Sequence, residues 1–482
     1  MEFPSKKQIR EIYQQGPDAV IALVETLCNI INSHEKRIKH LEDILAKDSH
    51  NSSKPPSSDG FKKAAKKRNL RVKTGKKPGG QPGHKGKTLR QVDNPDHIIP
   101  HHCKGSCETC GRELSDQRVI DFEKRQVFDI PVPKIEVTEH RADIVKCVCG
   151  EIHQAEFPSS VTNEVQYGET LKAYSTYLMN YQLIPYERTQ ELLDDLFQAP
   201  VSQGTLASIN QRAGRLLVPT VESIKDKIIN ADIAHFDESG FYINGKREWI
   251  HTAGTTDLTY YEFHHRRGQE AMDAIGILPS FQGHAIHDHL KAYFAYTCDH
   301  GLCNTHHLRE LIFVHERYDQ PWAANLKKHL LDIKDAVENA KAAGKTCLSP
   351  YTLKKFRSTY LKLVTQGLQA NPPPPKSGKR GKTAQGKPRN LLIRLNDYAN
   401  ETLAFMYDFR VPFDNNLAER DIRMIKLQQK ISGCFRSENG AMNFCRIRSY
   451  ISTIKKQGHN VLDALKNIFY VNNPDICLLP TE

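Results

Sequence analysis

The sequence lacks any run of about twenty apolar residues, so no segment has the length and hydrophobicity of a membrane-spanning helix. It also lacks a secretory leader, since Met1–Arg10 is charged and no uninterrupted apolar stretch follows. A disulfide framework is missing as well: twelve cysteines in 482 residues are too sparse to staple a secreted fold, and clustered ones suit metal. Charge imbalance is almost absent outside one place. Thirteen Lys/Arg and a single acid, Asp59, lie between Lys54 and Arg90, which accounts for the whole formal net charge of +12. These absences exclude membrane-spanning and disulfide-scaffold proteins and predict a soluble, intracellular chain. What charge there is points to a polyanionic partner, most simply nucleic acid.

The length suits about three domains, and the pattern changes along it several times. Residues 1–50 read as helical. Val24, Leu27, Ile31, Ile38, Leu41 and Leu45 recur at heptad spacing, with His34 at one inward position, which predicts a short coiled coil. Residues 51–100 form a basic Pro/Gly-rich linker that opens with Asn51-Ser-Ser-Lys-Pro-Pro-Ser-Ser-Asp59, expected to be extended. Its Lys62, Lys63, Lys66, Lys67, Arg68, Lys76 and Lys77 are the candidate DNA contacts.

Residues 101–160 carry two cysteine knuckles, Cys107-x-x-Cys110-Gly111 and Cys147-x-Cys149-Gly150. Between them Glu123–Val137 alternates as a strand does. Two knuckles joined by strands predict a β module around structural Zn²⁺, with Cys107, Cys110, Cys147 and Cys149 as ligands. The second pair is compressed, and Cys103 or His153 is the alternative ligand.

Residues 161–230 read as helical, with Arg188–Phe197, a turn over Gln198–Ser202, and Gln203–Arg215 behind a Ser cap. Helix, short turn and capped helix have helix-turn-helix character. From Asp232 the period becomes that of strands. Ile233–Phe236 leads into Asp237, Gly240–Ile243 turns at Asn244-Gly245 into Arg247–Ala253, and Leu258–His264 alternates again. A helix to Leu278 and a short strand, His284–His287, deliver Asp288. This order is that of a ribonuclease-H-like core, expected over residues 231–435. A helical insertion interrupts it at about 310–395 and ends in an exposed basic loop, Asn371–Lys382. Residues 436–482 read as a C-terminal helical segment. The fold class is thus multidomain α+β.

Three acids stand out in this frame. Asp237 lies in Ala234-His-Phe-Asp-Glu-Ser-Gly240, Asp288 in Ala285-Ile-His-Asp-His289, and Glu419 in Phe413-Asp-Asn-Asn-Leu-Ala-Glu-Arg420, at the start of a helix. Carboxylates brought together from separate elements are what a pair of Mg²⁺ ions needs. Glu238 and Asp414 are nearby acids, and Asp414 better suits a turn or cap. Cys303 and His306 read as packing and positioning groups, Arg309 and Arg420 as phosphate contacts, and His287 and His289 as core or surface histidines as readily as groups supporting Asp288.

Together these motifs resemble the large transposase of bacterial insertion sequences of class sixty-six. The likeness rests on the 51–59 segment, Gly79-Gly-Gln-Pro-Gly-His-Lys-Gly86, the knuckles, Asp237-Glu-Ser-Gly240 and Asp288 with Tyr293. It rests further on Cys303-x-x-His306-x-x-Arg309-Glu310 and Asp414-Asn-Asn-x-x-Glu419-Arg420. The resemblance implies a DDE transposase in which Asp237, Asp288 and Glu419 hold two Mg²⁺ ions, with Mn²⁺ able to substitute. It implies cleavage at element ends and strand transfer into target DNA, and accessory proteins from the same element. A homodimer or higher oligomer and a cytoplasmic, nucleoid-associated place in a bacterium follow from the same reading. The rival readings are a catalytically silent DNA-binding descendant and a nuclease of the same fold. His289, following the second acid where a small residue is expected, is a departure from the pattern.

Overall fold

The computed structural model describes residues 4–48, 51–52, 89–131, 133–374 and 385–471. Lys62, Lys63, Lys66, Lys67, Arg68, Lys76 and Lys77 therefore lie outside the described residues, as do the Gly79–Gly86 block and most of the 371–382 loop.

Two helices open the chain, α1 (Lys6–Gln14) and α2 (Pro17–Leu45). Pro17 starts α2 at a position that needs no N–H donor. Its heptad residues Val24, Ile31, Ile38, Leu41 and Leu45 are exposed and Leu27 is half-buried, so nothing among the described residues covers most of the apolar stripe. The far end of α2 is anchored instead by Asp43, which meets Arg317 at 3.1 Å, Lys387 at 2.9 Å and the Tyr318 hydroxyl at 2.8 Å.

The cysteine region is sparse in regular structure. Its strands are β1 (Ile144–Lys146) and β2 (Ile152–Gln154), an antiparallel hairpin around the second knuckle. The described residues of Glu123–Val137 form no strand, contrary to the alternation. Alternating residues become a strand only where one face has something to bury, and here Val127, Ile130 and Val137 stay exposed. Pro131 and Pro133 also lack N–H donors for a ladder.

A helical stretch follows: α3 (Glu169–Thr176), a π-helical turn (Tyr177–Tyr181), α4 (Tyr186–Phe197), α5 (Gln203–Leu216) and α6 (Val218–Ile229). Gln198 ends α4 in the left-handed region at φ 52°, and the Ser202 hydroxyl caps α5 by accepting from the Thr205 N–H at 3.1 Å.

The central sheet contains β3 (Ile233–Ile243), β4 (Lys246–Gly254), β5 (Thr259–His264), β6 (His284–His287) and β7 (Asp299–Leu302) in the order β5-β4-β3-β6-β7. Strands β3 to β5 are antiparallel, while β6 and β7 run parallel to β3. Asn244 (φ 47°) and Gly245 (φ 75°) make the two-residue turn from β3 to β4. Where the sequence suggests two short strands flanking Asp237, the structure has one continuous strand of 11 residues with Asp237 inside it. Helix α7 (Gln269–Ile275) links β5 to β6. Phe236, Ala253 and Tyr260 on one sheet face share a core with Met272 of α7 and Ile224 and Ile228 of α6.

Helices α8 (Asn304–Tyr318), α9 (Pro321–Ala342), α10 (Pro350–Ala370), α11 (Lys387–Asp397), α12 (Ala399–Thr402) and α13 (Ala404–Tyr407) lie between β7 and the next helix, α14 (Asn416–Ser432). They build their own core from residues such as Leu326, Leu330, Tyr360, Leu392 and Leu395. Each such apolar side chain contributes roughly 1.5–3 kcal/mol by leaving water. Helix α14 covers the second sheet face, where Ile422 and Ile425 meet Phe241, Ile250 and Tyr261. Helices α15 (Glu438–Lys456) and α16 (Val461–Val471) complete the described chain, and Ile447, Ile451, Leu465 and Ile468 join the core that holds α5 and α6.

Candidate active site

Successive side chains on β3 point to opposite faces, and this separates two adjacent acids. Glu238 turns to the α7 face, where it accepts from the Tyr293 hydroxyl at 2.6 Å and from Arg267 at 2.9 and 2.7 Å. Its hydrogen-bonding capacity is largely used there. Asp237 points to the α14 face. Burial, followed by the charges of Asp288 and Glu238, pushes its carboxyl well above the usual range, and Glu419 adds to the effect.

Asp288 directly follows β6, and Glu419 sits in the first turn of α14. The two are joined through His306 in the first turn of α8. Its Nδ1 lies 2.7 Å from Asp288 Oδ1, and its Nε2 lies 3.6 Å from Glu419 Oε1. Burial opposes a charge on this ring, yet the hydrogen bonds with Asp288 and Cys303 outweigh it and push the imidazole up to about 11. Asp288, Cys303 and His306 place three potential ligand atoms within 4.8 Å of one another.

Cys303 is held as a brace. Its Sγ accepts from the Asn415 backbone N–H at 3.2 Å, and burial pushes the thiol up, away from the thiolate form that binds metal. Asn415 is fully buried and ties the elements together: Oδ1 meets His235 Nδ1 at 2.9 Å, and Nδ2 donates to the Phe236 carbonyl at 2.8 Å. The block preceding Glu419 thus locks α14 to β3 and α8. Asp414 accepts from the Asn416 N–H at 3.1 Å, the turn role expected for it.

Two observations bear on whether the acids suit a divalent cation. Glu419 Oε1 is buried without a hydrogen-bond donor, while Oε2 accepts from Arg423 at 3.0 Å. Asp237, in turn, is held against the charges of its neighbours. An oxygen with no hydrogen bond, beside mutually repelling carboxylates, is a donor set that a hard cation satisfies. The flanking histidines are core groups. Burial lowers His287 to about 3 and His289 to about 4, and His287 stacks on Tyr293 at 4.4 Å. Arg309 is half-buried on α8 and Arg420 exposed on α14; neither has an ion-pair partner among the described residues.

The knuckles are formed but separate. Gly111 (φ 69°) and Gly150 (φ 97°) close the turns, donating to the Cys107 and Cys147 carbonyls at 2.9 and 2.8 Å. Hydrogen bonds within each turn, from the Thr109 and Cys110 backbone and from the Cys149 backbone, lower the Cys107 and Cys147 thiols. The four sulfurs are not gathered into one cluster, and Cys103 and His153 are exposed.

A family model described as Transposase IS66 family matches residues 164–443, a span holding all three acids, the five-stranded sheet and the helices inserted in it. The chain belongs to that family. Residues 1–90 match a family of unknown function (DUF6444). No curated protein matches the chain. The IS66 match begins beyond the knuckles and ends within α15, so it bears on the scaffold of the acids rather than on the cysteines. Among the described residues, no helix is long and apolar enough to cross a membrane.

Proposed function

We propose that this IS66 family member is a DNA transposase that cleaves the ends of its element and joins them to target DNA. The convergence of Asp237, Asp288 and Glu419 from β3, the end of β6 and α14, with one Glu419 oxygen left unsatisfied, carries the reading. A mixed sheet with its first strand central and its fourth beside it supports a ribonuclease-H-like core.

The three acids would hold two Mg²⁺ ions, or Mn²⁺ in their place. Bound there, the metal supplies Lewis-acid activation of water or a DNA 3′-hydroxyl and charge stabilisation at the departing 3′ oxygen. The protein's own part is positional. His306 fixes Asp288, Asn415 fixes the start of α14, and the sheet holds Asp237 on the face that α14 covers. Arg309 on α8 and Arg420 on α14, neither with an ion-pair partner among the described residues, would meet DNA phosphates. Hydrolysis breaks a P–O3′ bond and leaves a free 3′-hydroxyl. That hydroxyl then attacks a target phosphorus, and the target's own 3′ oxygen leaves.

The remaining regions fit supporting roles. The uncovered stripe of α2 suits pairing with a second copy, the knuckles suit structural Zn²⁺, and the capped α4–α5 pair suits reading of element DNA. The basic stretch of residues 54–90 suits non-specific DNA contact, and accessory proteins of the element would complete the machinery.

The test is transposition in cells that carry the complete element, comparing wild type with Glu419→Gln. New insertions from wild type alone support the assignment. Activity in both removes Glu419 from the site. Cleavage of end-containing DNA without joining indicates a nuclease, and DNA binding with neither step indicates a silent descendant.

A further inference from the structure

Beyond His235, strand β3 leaves its parallel neighbour, because β6 pairs only with Ile233–His235. From there the β3–β4 ribbon runs on past the acids with one edge free of any strand of the sheet. On the face shared by Gly240 and Tyr242, register places Trp249 opposite Gly240 and Arg247 opposite Tyr242. Two guanidinium groups lie over the Trp249 ring, Arg247 at 4.8 Å and Arg267 at 5.0 Å from its centroid. Arg247 also lies flat across Gly240, where an added Cβ would come within 2.9 Å of its Nε.

A third cation comes from α14 on the other sheet face: the Lys426 ammonium donates to the Gly240 backbone carbonyl, close enough to Arg247 to feel its charge. Glu419, Arg423, Lys426 and Lys430 recur at helical spacing and form one stripe on α14 that starts at the acid and runs away from it. From Glu419 to Lys430 the stripe covers roughly 16 Å at 1.5 Å per residue, a length over which each strand of a duplex presents about five phosphates.

Compensating acid is missing here. Glu238 is taken up by Arg267 and Tyr293, and Glu248 faces His265 at 3.0 Å. Arg247, Lys426 and Lys430 have no carboxylate partner among the described residues. Burial and the nearby Arg247 charge both lower Lys426. Arg247, Lys426 and Lys430, like charges with no carboxylate of their own among the described residues, form a place for an external polyanion, while Arg267 is already shared with Glu238. Guanidiniums fixed on an aromatic ring are well suited to phosphate, since their planar forks are already oriented.

We infer that Arg247, Lys426 and Lys430, with Arg267 and Trp249, form a phosphate-tracking surface that guides DNA along α14 to the acidic site. The inference rests on the transposase reading for the identity of the polyanion. Contacts of this kind position the backbone without reading sequence, so the surface serves end and target DNA alike.

The experiment measures binding of a mixed-sequence duplex against salt concentration, with the full chain in a Glu419→Gln background where no chemistry is needed. Arg247→Gln with Lys426→Gln is compared with Lys328→Gln, an exposed cation on α9. The double variant should flatten the slope of log K against log salt by about 1.8, about 0.9 per lost phosphate contact, while Lys328→Gln leaves it unchanged. Thermal melting confirms that each variant is folded, and Arg247→Lys with Lys426→Arg, which keeps both charges, should restore the slope. A double variant with the Lys328→Gln slope overturns the surface but leaves the transposition assay untouched. Absence of DNA binding by the parent chain overturns both readings.

Discussion

His306 Nδ1 stands 2.7 Å from an Asp288 carboxylate oxygen, which fixes the first turn of α8 to the residue that follows β6. A ring in this position sets the rotamer of the acid and limits which of its oxygens faces the cleft. Partners of metal-binding carboxylates typically cost 10–100-fold in affinity or activity when removed. His306→Ala should therefore raise the Mg²⁺ concentration needed for half-maximal strand transfer by about tenfold or more, with DNA binding unchanged. His306→Gln, which keeps a donor, should recover part of that loss. A metal requirement identical to wild type in His306→Ala would show that the contact does not act through Asp288.

Asp237 bears the strain of the cluster, since burial and neighbouring carboxylates oppose its charge. Replacing it with Asn removes a repelling charge from the metal-free protein. Asp237→Asn should stabilise that form by about 1 kcal/mol, a rise in Tm of about 2–4 °C, while abolishing strand transfer. Wild type should recover stability on adding Mg²⁺, and the variant should gain much less. Calorimetry with and without the ion decides it, and a lower metal-free Tm for Asp237→Asn would contradict the electrostatic account.

The parts of this arrangement that were legible in the sequence are those with local signals. Asn244-Gly245 announces its turn through left-handed backbone, Ser202 announces α5 as a cap, and α14 starts at Asn416 as its pattern implies. Tertiary effects were harder to read. Asp237-Glu-Ser interrupts an apolar run and looks like the end of a strand, yet ladder pairing to His251, Thr252 and Ile250 carries β3 straight through. Strand β7, Asp-His-Gly-Leu, has no alternating pattern, and forms because β6 offers an edge. The alternation of 123–137 misleads for the converse reason, lacking a surface to bury against. Packing and positioning roles for Cys303 and His306 could be inferred from residue type, but their partners, Asn415 and Asp288, lie far away in the chain. Arg247, Trp249 and Lys426 gave no signal as a group because they meet only when β3, β4 and α14 are assembled.

The two knuckles make a separate prediction. Each pair of thiols is prearranged by its glycine turn, and binding one tetrahedral ion through Cys107, Cys110, Cys147 and Cys149 would draw the pairs together. Purified protein should contain one Zn²⁺ per chain. Chelation should increase amide exchange within residues 101–160 and leave the protection of β3 and β4 intact. Protein that is fully folded and free of zinc would dismiss the site.

Acid should expose the cost of a buried neutral ring on β4. Burial lowers His251 to about 4, despite its hydrogen bond to the Arg266 carbonyl at 3.2 Å. Its unfolded counterpart titrates near the ordinary value of about 6.5. Above that pH neither state binds the proton, and the stabilising difference is fully present. Between about 6.5 and about 4 the unfolded chain takes up a proton that the folded chain refuses, so stability falls by roughly 1.4 kcal/mol per pH unit from this ring. Below about 4 both states are protonated and the loss levels off. Other titrating groups contribute too, the raised carboxyls of Asp237 and Glu238 among them, so the informative quantity is a difference. Urea unfolding of wild type and His251→Gln across this interval should give a steeper pH dependence for wild type, and parallel curves would mean that the ring is charged in the folded protein.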